Sequence, residues 1–119
     1  MNAVVWAVEV TDQFAAWYAS LDDAQVDAVN FSVGLLEAAG PELRRPHADT
    51  VHGSAYPNMK ELRVQAQGRP IRILFAFDPR RVAILLIGGD KTGDDRFYIR
   101  MVPLADALYA EHLSEIEEN

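Results

Sequence analysis

Apolar positions recur along this chain in two rhythms, and the change from one to the other marks out its elements. From Met59 to Ile87 the period is two. Ile71, Ile73, Phe75 and Phe77 alternate with Arg72, Leu74 and Ala76, so the first set shares one face of a strand and turns to a core. Leu62 and Val64 do the same in the run before it, and Val82-Ala83-Ile84-Leu85-Leu86-Ile87 is the most apolar run of the chain. These runs are rich in β-branched and aromatic residues. They are bounded by Gln67-Gly68-Arg69, Asp78-Pro79-Arg80 and Gly88-Gly89-Asp90-Lys91-Thr92-Gly93, which predicts three antiparallel strands, two turns and a charged loop. The same parity turns Glu61, Arg63, Gln65 and Arg72 away from the core, with Arg63 and Arg72 on one non-core face of a hairpin. Lys60 has core-side parity but stands at a strand's start, where its stem can reach round an edge. On pattern alone, outward arginines are solvated surface.

Elsewhere the period is three to four. Val4–Val10 reads as a first strand with Trp6, Val8 and Val10 on one side. Thr11 is a fitting N-cap for a helix over Asp12–Ala19, whose stripe is Phe14, Trp17 and Tyr18. Ser20-Leu21-Asp22-Asp23 precedes a second helix to Ala39, with Val26, Val29, Val33 and Leu36 on its buried side. Gly40-Pro41 ends it. The short link between the two helices predicts an antiparallel hairpin. Residues 41–58 read as a long connection, and its His47 and His52 as exposed loop histidines. Arg96–Ile99 reads as a short last strand. Pro103 then starts a terminal helix to about Glu117, with Ala105, Leu108, Tyr109, His112, Leu113 and Ile116 on its apolar side. The expected fold is α+β: an N-terminal strand and helical hairpin packed on a mainly antiparallel sheet, with a C-terminal helix. The 119 residues are expected to form one domain.

Charge changes this picture. The chain carries a net −7. Between Lys60 and Arg100 nine Lys and Arg face five Asp and Glu, whereas the remainder has Arg44 and Arg45 against thirteen acids. Basic charge therefore collects on the sheet and its loops, which allows a local anion site inside an acidic protein. No apolar run approaches membrane-spanning length, and no basic region precedes the N-terminal apolar residues, so neither a membrane protein nor a secretory signal is expected. The absence of cysteine excludes disulfides and thiolate sites and fits the cytoplasm.

The ordered set Lys60-Glu61-Leu62-Arg63, Gly68, Arg72-Ile73-Leu74-Phe75-Ala76-Phe77-Asp78, Gly89-Asp90-Lys91-Thr92-Gly93, Phe97-Tyr98 and Pro103-Leu104-Ala105-Asp106-Ala107-Leu108-Tyr109 with His112-Leu113 resembles the RelE/ParE toxin superfamily. Within it, the resemblance is to the phage-derived Gp49-like, HigB-type branch. It covers nearly the whole chain. It implies a toxin of a type II toxin–antitoxin system, typically a ribosome-dependent endoribonuclease that cuts mRNA without metal or other cofactor and slows growth. It also implies a cognate helix-turn-helix, HigA-like antitoxin as partner, contact with ribosome and mRNA, and DNA contact only through the antitoxin.

Metal-free RNA cleavage uses the 2′-hydroxyl as nucleophile. It needs a base, cations for the phosphorane and an acid for the 5′-oxygen. By resemblance, Arg72 is the strand arginine, Tyr98 the late tyrosine and Lys91 the loop lysine of the catalytic set. Lys60, Arg63 and Arg96 are candidate RNA or phosphate contacts. The chain departs from RelE at Thr92, where a second basic residue is usual. Where some HigB enzymes place histidines and an acid near the tyrosine, it has Arg96 and Phe97, preceded by Asp94 and Asp95. The base is therefore unassigned, with Asp90 a possible helper. Two alternatives stay open: a ParE-like gyrase-binding inhibitor, and an antitoxin-binding module without catalysis.

Overall fold

A computed structural model describes residues 4–117. In chain order the elements are β1 (Val8–Val10), α1 (Asp12–Ala19), α2 (Asp23–Ala39), a short 3-10 turn (Gly40–Glu42), β2 (Ala48–Thr50), β3 (Lys60–Ala66), β4 (Arg69–Phe77), β5 (Ala83–Asp90) and α3 (Phe97–Glu117). The strands form one mixed sheet in the order β1-β5-β4-β3-β2. β1 runs parallel to β5, and every other pairing is antiparallel. The fold is the expected α+β arrangement.

The helical hairpin forms as its caps predict. Thr11 Oγ1 accepts the Phe14 N–H at 2.9 Å. Asp22 and Gln25 complete a reciprocal capping box at the start of α2. The hairpin lies on one face of the sheet and buries Phe14, Val29 and Leu36 against Leu62, Val64, Ile71, Ile73, Phe75 and Leu85. β3 and β4 meet at Gln67 and Gly68, both with positive φ, the signature of a tight two-residue hairpin turn.

Four expectations change. The first strand is short, because the chain before Val8 leaves the sheet: Trp6 N–H donates to Glu37 O at 2.8 Å, and its ring meets Phe77 edge-on. The long connection holds a strand, β2, paired to Lys60–Leu62. Arg96–Ile99 is not a strand, since Phe97 opens α3. Phe97, Met101, Val102, Ala105, Leu108 and Tyr109 make one buried helical stripe, and this tertiary packing overrides the strand preference of Phe-Tyr-Ile. Pro103 consequently lies inside the helix rather than at its start. It sits on the exposed side, below Ile99, where solvent can serve the carbonyl it leaves unbonded.

The fourth change concerns the far face of the sheet. α3 covers it with a second apolar layer containing Leu74, Ala76, Ile84 and Leu86. α3 packs over β5 and β4, and the β3–β2 end beyond it holds open clefts. The polar parity of β3 therefore leads into a partly covered cleft and not to open surface.

Candidate active site

β3 presents Glu61 and Arg63 two residues apart on the α3 side, and the ladder sets Arg63 directly opposite Arg72 of β4. Like charges facing each other across a pair are unfavourable, so a carboxylate between them has a structural reason. Glu61 is only 4% exposed. Its Oε2 accepts Arg63 Nε at 3.2 Å, and its Oε1 lies 3.7 Å from Arg72 Nε. Tyr98, in the first turn of α3, donates its hydroxyl to the same Oε1 at 2.6 Å. The helix start that replaces the expected strand thus carries the tyrosine over the sheet.

Arg63 is held a second time. Its Nη2 donates to Asp49 Oδ2 of β2 at 3.1 Å, and Arg45 Nε donates to the same oxygen at 2.8 Å. The Arg45 bond foremost, then the Thr50 N–H and the charges of the two arginines, hold the Asp49 carboxyl below its usual range. Arg72 is 12% exposed. Its Nη1 reaches the Ile71 carbonyl, while its buried Nε lacks a hydrogen-bond partner among the described residues. A buried donor left unpaired costs on the order of 1–3 kcal/mol.

Arg45, Asp49, Thr50, Val51, His52, Glu61, Arg63 and Tyr98 enclose a cleft of about 400 Å³. Arg63 also walls a neighbouring cleft of about 440 Å³, which reaches Arg72, Gln65, His47 and Phe31. Lys91 Nζ stands 5.6 Å from the centroid of the Tyr98 ring, within cation–π range. Burial first, and then the hydrogen bond and charge of Glu61, push the Tyr98 phenol above its usual 10.0, with Arg72 opposing. Tyr98 therefore keeps its proton at neutrality and is a poor base. Glu61 is the acceptor at the centre of the group.

The profile of the family described as Phage derived protein Gp49-like (DUF891) matches residues 16–110. The chain belongs to the Gp49-like family. It is 48% identical over 101 residues to the protein of Mycobacterium tuberculosis named as toxin HigB3, covering 84% of this chain and 87% of that protein. It is 43% identical over 119 residues to the one named as toxin HigB2, covering 98% of this chain but 59% of the relative's length. Among solved structures, the Escherichia coli toxin RelE in its free state superposes with a TM-score of 0.59 at 7% identity, over 78% of this chain and 90% of that one. A chain of the archaeal RelE–RelB complex from Pyrococcus horikoshii does so with a TM-score of 0.54 at 16% identity, over 73% and 96%. At those identities the likeness is one of fold. The relatives set this Gp49-like chain in the HigB-type branch of the RelE fold.

Three of the residues singled out in this Gp49-like sequence, Arg63, Arg72 and Tyr98, meet around Glu61, and Lys91 touches the group through the Tyr98 ring. Lys60 does not join it. Its Nζ bonds the Pro41 carbonyl at 3.3 Å and borders a different cleft on the other side of β2. Arg96 is exposed just before α3, its backbone N–H on Asp94. Asp90 is occupied by the Thr92 hydroxyl and N–H and by Arg69, so it serves the loop. His47 and His52 are exposed, as expected, but each borders one of the two clefts. Glu61, Asp49 and Arg45 are the additions. Glu61 was open to detection, being two residues from Arg63 on the face that carries both arginines. Asp49 was not, because nothing marked its segment as a strand.

Proposed function

We propose that this chain is the toxin of a type II toxin–antitoxin pair and that it cuts ribosome-bound mRNA in the cytoplasm. The names of its Gp49-like relatives support the toxin reading. The observation that carries the chemistry is the Glu61 carboxylate, enclosed by Tyr98, Arg63 and Arg72 at the back of an open cleft.

In this reading a phosphodiester enters the cleft against Arg63, with Arg72 of the neighbouring cleft on the far side of Glu61. Planar guanidiniums suit its oxygens and the charge that grows on the phosphorane. Glu61 takes the proton of the 2′-hydroxyl as its oxygen attacks phosphorus. The bond to the 5′-oxygen breaks, leaving a 2′,3′-cyclic phosphate and a 5′-hydroxyl end. His52, on the cleft rim, is the candidate acid for that oxygen. Tyr98 holds Glu61 in place and offers a ring for a base, while Lys91 adds positive charge for the RNA strand. Asp49 and Arg45 fix the orientation of Arg63. The antitoxin is the expected partner, by analogy with the RelE–RelB complex.

Primer extension on mRNA programmed into purified 70S ribosomes tests the proposal, with naked mRNA as control and Arg72→Ala as the variant. Cleavage that needs the ribosome and fails with folded Arg72→Ala is the expected result. No cleavage by folded, antitoxin-free protein would remove the nuclease reading and favour gyrase inhibition or a non-catalytic partner.

A further inference from the structure

One carboxylate of α3 takes no part in the chemistry above. Asp106 is half-buried in the middle of the helix and borders neither cleft. Asp is a weak helix former in such a place, so its partners off the helix matter. The loop between β2 and β3 uses both of its oxygens. Oδ1 accepts the Ser54 hydroxyl, and Oδ2 accepts the Ala55 N–H at 2.8 Å. Ser54 Oγ in turn accepts the Tyr56 N–H at 3.0 Å. One turn further along α3, the Tyr109 ring meets that of Tyr56 edge-on at 4.8 Å, and its hydroxyl accepts Asn58 Nδ2 at 3.3 Å.

This loop begins in the cleft. Val51 and His52 line the space in front of Glu61. Val51 is held at the base of the loop, where its N–H donates to Met59 O at 3.0 Å. The His52 side chain has no hydrogen-bond partner among the described residues, so the backbone on either side fixes its place. Gly53 follows with φ 85°, a conformation that glycine adopts without strain, and then Ser54 on Asp106. His52 is thus held between two anchors, Met59 behind and Asp106 ahead. The helix that carries Asp106 also carries Tyr98, about 12 Å earlier along its axis. One rigid element therefore sets both the tyrosine and the loop at the rim of the cleft.

We propose that Asp106 is a positioning residue for RNA cleavage: by clasping Ser54 and Ala55 to α3 it holds His52 at the place of the leaving 5′-oxygen. The inference rests on the nuclease reading above. Asp106 touches no substrate in it and acts only through the loop.

Single-turnover cleavage on programmed 70S ribosomes tests this, with mRNA carrying either oxygen or sulfur as the 5′-bridging atom of the scissile bond. Sulfur leaves without taking a proton, so a lost acid no longer matters. Asp106→Ala is expected to fold, since alanine favours the helix. It and His52→Ala are each expected to cut the oxygen substrate about 10–10²-fold more slowly, the scale of a small misplacement, and to regain the wild-type rate on the sulfur substrate. Asp106→Asn, whose amide can make both bonds to the loop, is expected to keep the rate on both. Amide exchange at Ala55 and Tyr56 is expected to quicken in Asp106→Ala. Equal slowing on both substrates marks a merely structural staple and would overturn the proposal. So would a wild-type rate for Asp106→Ala or for His52→Ala on the oxygen substrate, or unchanged exchange. Either result with an active wild type sinks only the role of Asp106, whereas an inactive wild type sinks the nuclease reading and this proposal with it.

Discussion

The two faces of the sheet are written on alternate residues of the same strand, yet they have different purposes. Leu62, Val64 and Ala66 of β3 lie under the helical hairpin in a core. Glu61, Arg63 and Gln65, one step out of phase, lie on the α3 side. The hairpin side is apolar, with its acids on the solvent side of the helices. The α3 side is apolar only where α3 lies over β5 and β4. Toward β3 and β2 it becomes a charged cleft with a nearly buried carboxylate. The reach of one helix divides core from site here. The alternation of β3 supplies polar residues, and the place where α3 stops covering the sheet makes them accessible.

Substitutions at the ends of this contrast carry the largest effects. Arg72→Ala removes the buried guanidinium beside Glu61, and ribosome-dependent cleavage is expected to fall by about 10²–10³, the loss typical of one transition-state donor. Primer extension measures it, with circular dichroism confirming the fold. On the hairpin face, Phe75→Ala empties a fully buried position and is expected to cost about 3–5 kcal/mol in urea denaturation. It leaves the residues of the cleft chemically intact.

Two smaller effects follow from titration. The Tyr98 phenol is held above the usual 10.0 by burial and by Glu61. Its favourable contribution to stability is present below pH 10 and is lost as pH rises through the higher folded value. Absorbance titration of the wild type minus Tyr98→Phe is expected to show a late phenol, and Glu61→Gln to bring it earlier. At the other end of α3, burial works to raise the Asp78 carboxyl, but His112, 2.9 Å away, Arg80 and the Val82 N–H outweigh it and hold it below 3.8. That contribution is present above pH 3.8 and is lost as pH falls through the lower folded value. Melting curves of wild type and Asp78→Asn are therefore expected to converge on acidification.

The succession β1, α1, α2, β3, β4, β5 and the shared non-core face of Arg63 and Arg72 were legible in the sequence because period-two alternation and turn residues are local signals. The caps of α1 and α2 were legible for the same reason. What escaped depends on contacts far apart in the chain. Ala48–Thr50 is a strand only because β3 supplies a partner. Phe97-Tyr98-Ile99 has strand character by itself and becomes helix because Phe97 joins Met101, Val102 and Ala105 against the sheet. Tyr98 and Arg72 could be named by resemblance, but the role of Glu61 could not. Parity turned it outward, and only α3 shows that outward here means into a cleft.

In the proposed mechanism Glu61 works on RNA and does not merely pair two arginines. Single-turnover cleavage of ribosome-bound mRNA by Glu61→Gln, a near-isosteric change that keeps a partner for Tyr98, tests it most directly. A folded protein that still binds the ribosome and cleaves about 10²–10⁴-fold more slowly is expected, the usual worth of a positioned general base. Cleavage at the wild-type rate would contradict it and leave Glu61 as a structural counter-ion.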